Sequence, residues 1–513
     1  MTSPRLRITL RSAATLAAAT LLLGSAPSAT AHGDADRVER LRAEYAPGTN
    51  VPVLTSPNVS LVSSQPGAAG ISGCFMRTAP LFVMSNLDSV RVFDVSDPLQ
   101  PRLTGVLPSL QFENEAMNCG ERQTAAGIMR FALIGVDLYH ASPDDIEHVN
   151  DPATGGYELV VVDVTDPANP RIRSRAPGTT STHTVSCVEG TDCRYAYSAG
   201  TGSRFSIFDL RDLGRPREVD SNPDKRGTQP FGSPTAGHKW NFDNSGYATH
   251  TGWNGSGVFD VSRPRHPRLV TTTGTAGRGQ DPDHPGYNDF IHHNSLRPNA
   301  KAFRPGTPPS FANGNVLLVT EEDYMQTDCA KAGSFQTWHV RRLDGSPGAI
   351  VPLDKVELAD LGSFPVPQDA FCSAHWFDYH PSGIVSVGYY GGGTQLVDVR
   401  RARDLRPYGY ATWGASEVWD AYWVPRYGRD GVAGAGRTNL VYSVDLVRGL
   451  DVYAVDLPGG QDPDDELALG SADPLSLTWP EDALPLALVG AGLLGSLLLR
   501  RRAAPTGSGS RRS

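Results

Sequence analysis

The chain has 513 residues, a net charge of -9, 39% hydrophobic and 20% charged residues, and 54 Gly with 40 Pro. That apolar content supports a sizeable core, while so much glycine and proline disfavours a mainly helical protein and favours short strands joined by tight turns. The acidic balance excludes nucleic acid as a default partner.

Residues 1–31 read as a secretory signal. Arg5, Arg7 and Arg11 form a basic start, Ala13 to Leu23 an apolar run, and Ala29-Thr30-Ala31 a small-residue cleavage site before His32. An N-terminal extension, 32–57, follows. His32 would become the first residue after cleavage, where its amine and ring offer a minor chelating pair.

From residue 58 to 457 one pattern recurs: a β-rich run ending in Asp, with Pro after it. It appears as VRVFDVSDPLQP (90–101), LVVVDVTDPANP (159–170), FSIFDLRDLGRP (205–216) and SGVFDVSRPRHP (256–267), with degenerate copies at 336–347, 394–407 and 450–459. The aligned positions are Asp94, Asp163, Asp209, Asp260, His339, Asp398 and Ala454. Alternating Val, Ile and Phe suit a packed strand, the Asp can accept turn amides, and Pro precedes an edge strand that can spare its N–H. With a short strand after each motif and two before it, the pattern predicts four strands per unit and an all-β, seven-bladed β-propeller. The last unit enters the next segment without an outer strand, and Asn58–Ser64 has no unit of its own. That segment is expected to complete the last blade and close the ring.

Residues 458–482 contain seven Asp or Glu, four Pro and no Lys or Arg, and read as an extended acidic stalk. Ala483 to Leu499 is an apolar run of about 25 Å as a helix, followed by Arg500, Arg501 and Arg502. It predicts a single transmembrane helix over 483–499 with a basic cytoplasmic tail, 500–513, and the propeller outside the cell membrane. Six cysteines in an exported protein should form disulfides, expected as Cys187–Cys193, Cys74–Cys119 and Cys329–Cys372.

The recurring motif resembles the LVIVD repeat of bacterial secreted and surface proteins over roughly residues 58–457. The resemblance implies the propeller fold and leaves function to the site.

The first strand of each unit should line the central channel. Counting back eight residues from Gly246, Ala300 and Gly383, which end the turns after that strand, gives His238, His292 and His375. The same count from Gly190 lands on Thr182, one residue before His183. His250, Glu321, Glu322 and Asp323 should share this face, whereas His293 should point to the other side of its strand. Neighbouring units add Glu113, Glu115, Glu417 and Asp420. Imidazoles clustered with carboxylates can ligate Cu, Zn, Fe or Ni. In WD40 propellers a histidine before this strand is a structural hydrogen-bonding group, and that alternative stays open, although the Trp-Asp signature that partners it is missing here. The arrangement is similar to the selenium-binding protein and methanethiol oxidase family, propellers in which channel-facing histidines hold copper. That resemblance implies copper first, zinc as the alternative. No reactive cysteine motif of that family is recognisable.

The Gly-rich stretch GYYGGGTQ (388–395) precedes no helix, so a phosphate loop is not expected, and no GxSxG nucleophile elbow occurs. Two functions remain open. One is a membrane-anchored surface protein binding a protein or small molecule at a propeller face; the other is an extracytoplasmic copper-type oxidase, with sulfur compounds as the suggested substrates.

Overall fold

The computed structural model describes residues 53–458 apart from 109–116, 138–156, 201, 275–284, 324–325, 363–370 and 415. The expected signal, transmembrane segment and basic tail, all but the first residue of the stalk, and Glu113 and Glu115 lie outside the described residues. Among the described residues, no helix is long and apolar enough to cross a membrane.

Seven antiparallel sheets, six of four strands and one of five, follow one another as the blades of a propeller. Blades 1 to 6 begin on the strands Gly70–Phe75, Asn118–Thr124, Thr184–Cys187, Gly237–Phe242, Ile291–Leu296 and Phe377–His380, and blade 7 on Val418–Tyr427. Most of these first strands touch those of their neighbours, so they surround the axis. The fourth strands are more exposed, as in Arg102–Pro108 and Arg171–Pro177. The core lies between blades: Val83 and Val92 of blade 1 pack with Ala132, Ile134, Val160 and Val162 of blade 2, all fully buried. Fully buried Val and Ile on both faces of inner strands explain why the repeat reads as a near-continuous apolar run.

The repeated Asp has one job throughout. Asp94, Asp163, Asp209, Asp260 and Asp398 each accept the backbone N–H of the residue two further on, which fixes the exit turn. All seven aligned positions sit at the same height, paired to Leu81, Phe131, Tyr195, Tyr247, Val316, Ile384 and Leu440 of the second strands. Asp94, Asp163 and Asp260 also meet an arginine eight residues on, Arg102 at 2.8 Å, Arg171 at 3.4 Å and Arg268 at 3.3 Å. The Ser96 hydroxyl and amide hold the Asp94 carboxyl below its ordinary range, and Ser262 does the same for Asp260.

The ring closes as the repeat count requires. Val59–Gln65 is the outer strand of blade 7, paired with Gly449–Val455 from Val59↔Val455 to Gln65↔Leu450. Two features are additional: Leu54–Thr55 pairs with Arg406–Thr412 as a fifth strand on blade 6, and Arg204–Phe205 pairs with Phe231–Gly232 as a separate two-stranded sheet.

The three disulfides have the expected pairing, and no described cysteine is free. Cys74–Cys119 ties the first strands of blades 1 and 2, while Cys187–Cys193 closes the turn after the first strand of blade 3. Their sequence separations are 45 and 6 residues. Loop-closure entropy then sets removal of the first at about 4 kcal/mol and of the second at about 2 kcal/mol. Urea denaturation of Cys74→Ala/Cys119→Ala against Cys187→Ala/Cys193→Ala should show that order, and a reversed order would refute the entropic account.

Candidate metal centre

The histidines of blades 3 to 6 converge because of how their strands begin. In blade 4, Gly237 pairs with Gly252 and Lys239 with Thr251, which leaves His238 as an extra residue. In blade 5, His292 pairs with Glu321 and Asn294 with Thr320, leaving His293 extra. In blade 6, Gly388 accepts the N–H of His375 at 2.8 Å and donates to the carbonyl of Trp376 at 2.9 Å, so two residues again face one. A bulge of this kind re-aims the extra side chain. His183 stands directly before the first strand of blade 3.

The resulting group is tight and buried. His238, His293 and Glu322 offer ligand atoms that all lie within 4.8 Å of one another. The Nε2 atoms of His183 and His238 are 3.2 Å apart. Two nitrogens bound tetrahedrally to one zinc ion would be separated by about 3.3 Å, so this spacing suits a shared ion as well as a hydrogen bond. His293 Nε2 is 3.7 Å from Glu322 Oε2, and the rings of His293 and His375 are 4.0 Å apart. All five side chains are 6% exposed or less.

Surrounding groups orient this set. The carbonyl of Trp419 accepts the Nδ1–H of His375 at 2.7 Å, which leaves Nε2 as the lone-pair nitrogen, the arrangement a metal-binding imidazole uses. The Tyr390 hydroxyl donates to Glu322 Oε1 at 2.5 Å, and its ring packs 4.7 Å from that of His375. Tyr390 has φ 45°, a left-handed conformation that a bulky residue adopts only under constraint from its surroundings. It sits in the Gly-rich stretch 388–395, whose glycines turn the chain between two strands of blade 6; the sequence carries no signal that this tyrosine reaches a carboxylate one blade away.

Several expected members stand elsewhere. His292 does not join the group: its Nε2 donates to the Tyr287 carbonyl at 2.6 Å and its Nδ1 accepts from Ser256 at 2.9 Å. The expectation for the adjacent pair is thus reversed, and His293 faces the axis. His250 stacks on Trp240 at 4.2 Å and meets Ser233 and Thr235 through Nδ1, with burial pushing it down to about 3. It is a neutral core imidazole between blades. Glu321 accepts the amides of Asp289 and Phe290 and meets Ser334 and Gln336, a structural role, and burial pushes it up to about 7. Glu417 accepts Trp419 Nε1 and Asp420 accepts the hydroxyl of Tyr422, while Asp323 is not among the three residues whose ligand atoms converge.

Beside the cluster runs a channel of about 940 Å³ lined by Ser72, Lys239, Asn294, Trp376, Asp420 and Tyr422, among others. None of the four clustered histidines lines it, but the residues that follow three of them do: Lys239, Asn294 and Trp376. The fold and the site together define a β-propeller with a buried His–His–Glu group able to hold a metal ion near its axis.

No protein-family model matches the sequence, and no curated protein matches it. Among solved structures the chain is similar to the Cps50 (Swd1) β-propeller domain of Myceliophteria thermophila, at 10% identity over 78% of this chain and all of that one, with a TM-score of 0.44. It is also similar to the RRP9 WD40 repeats, at 8% identity over 79% of this chain and all of that one, with a TM-score of 0.46.

Proposed function

We propose that this chain is an exported, membrane-anchored propeller that holds a transition-metal ion, copper first and zinc as the alternative, and that serves as a binding protein at the cell surface. The convergence of His238, His293 and Glu322 within 4.8 Å carries the metal reading, with His183 and His375 as further donors. Three disulfides support an oxidising compartment. The resemblance to LVIVD-repeat surface proteins and the apolar run at 483–499 support display outside the membrane. Burial of all five donors suits an ion that braces four blades. The channel of about 940 Å³ beside the cluster favours a second reading, a copper-type oxidase of small sulfur compounds.

Metal analysis of the purified protein, with optical and EPR spectra, tests the metal reading. One equivalent of bound copper or zinc, lost on chelation together with a fall in melting temperature, is the expected result; melting indifferent to both metals would refute it. For topology, protease added to intact cells should cut within 458–482 and release a soluble core. A stalk protected on intact cells yet cut after lysis would reverse the assigned orientation.

A further inference from the structure

The indole of Trp376 stands between the candidate metal centre and the channel. Its ring lies 4.3 Å from that of His293, 5.6 Å from His375 and 6.1 Å from His238. Trp376 also lines the channel, as does Lys239, whose ammonium nitrogen sits 4.9 Å from the indole centroid. Both side chains are nearly buried, Trp376 at 3% and Lys239 at 7% exposure. The indole thus both lines the cavity and packs on three imidazoles.

That ring, like the buried Trp423, lacks the hydrogen bond that pins three other buried tryptophans of this propeller. Trp240 donates its indole N–H to the Ser198 carbonyl at 3.0 Å, Trp338 to Gln336 at 2.9 Å and Trp419 to Glu417 at 3.1 Å. The buried Nε1 of Trp376 has no hydrogen-bond acceptor among the described residues. A buried donor left unsatisfied costs stability and calls for an explanation. A ring fixed by stacking and a cation contact alone can rotate without breaking a hydrogen bond, whereas the three pinned rings cannot.

We propose that the channel is the route by which small anions reach the metal, with Trp376 as the gate and Lys239 as the charge that favours anions over neutral ligands. The inference rests on the metal reading above and adds to it an entry path and a ligand class. Swinging the indole aside would open the cluster to the cavity, and the ammonium of Lys239 stands beside that opening to attract negative charge.

The test uses the full-length protein, loaded with Cu(II) and assayed for metal content, with azide as the probe and its charge-transfer absorption as the readout. Wild type should bind azide slowly, and Trp376→Ala should bind it at least about tenfold faster at unchanged copper content. Trp376→Phe, which keeps an aromatic ring in place, should fall between them and covers the case in which the alanine variant does not fold. Lys239→Met should slow azide but not neutral imidazole. Equal azide rates in wild type and both Trp376 variants, or copper-loaded protein that never binds azide, would overturn the gate alone. Failure of wild type to take up copper would overturn the metal reading and the gate with it.

Discussion

His293→Ala is expected to abolish tight metal binding while leaving the metal-free protein close to wild type, whereas its neighbour His292→Ala should do the reverse. His293 is the extra residue of a bulge and supplies one of the three donors that lie within 4.8 Å of one another. Removing one donor from so small a set should weaken affinity by at least about 100-fold, and the fold, which rests on inter-blade packing, loses little. His292 bridges Ser256 and the Tyr287 carbonyl and stands edge-on to Trp338 at 5.6 Å. Its loss leaves buried polar groups unsatisfied at about 1–3 kcal/mol, with or without metal. Melting of wild type and both variants, each with copper and after chelation, separates the two roles. Metal-dependent stabilisation that survives in His293→Ala and vanishes in His292→Ala would show that the assignment has the two histidines interchanged.

That pair also shows what the sequence could and could not reveal. The repeated Asp was legible because one local interaction, a carboxylate accepting a turn amide, recurs in five of the seven units and needs no distant partner. Blade number, ring closure and the short Cys187–Cys193 link follow from such local rules. The register of the histidines does not. Counting back from the turn works in blade 4, where the short turn 243–246 joins Phe242 to Tyr247, but in blade 5 the chain runs from Leu296 to Val316 through two 3-10 turns. Ala300 is then no equivalent of Gly246, and the count slips by one residue, which in a strand exchanges faces. The bulges themselves left no mark in composition. Tyr390, Trp376 and Lys239 were missed for a related reason: each acts on a residue from another blade, and a single sequence holds no signal for that contact.

Deleting residues 58–65 is expected to cost the propeller most of its stability. The segment supplies the outer strand of blade 7, with six paired positions along Gly449–Val455. At about 1 kcal/mol for each ladder hydrogen bond, with the burial of Val59 added, the loss is on the order of 5 kcal/mol, comparable to the whole stability of many domains. It would also uncover Leu450, Val452 and Tyr453, now 4% exposed or less, on an unpaired apolar edge that can join another chain. Deleting 53–57 instead removes the fifth strand of blade 6, two paired residues of which Leu54 is 38% exposed, together with the bonds of Ser56 to Tyr410, and should cost less. The first variant should aggregate or lose cooperative melting, and the second should melt near wild type. Contacts between blades 7 and 1 would persist in both, because the Tyr422 hydroxyl accepts the Gly73 amide at 2.9 Å and Tyr442 donates to the Pro98 carbonyl at 2.8 Å. If the 58–65 deletion stays soluble and melts as wild type does, those blade-to-blade contacts are what close the ring, and the borrowed strand is not.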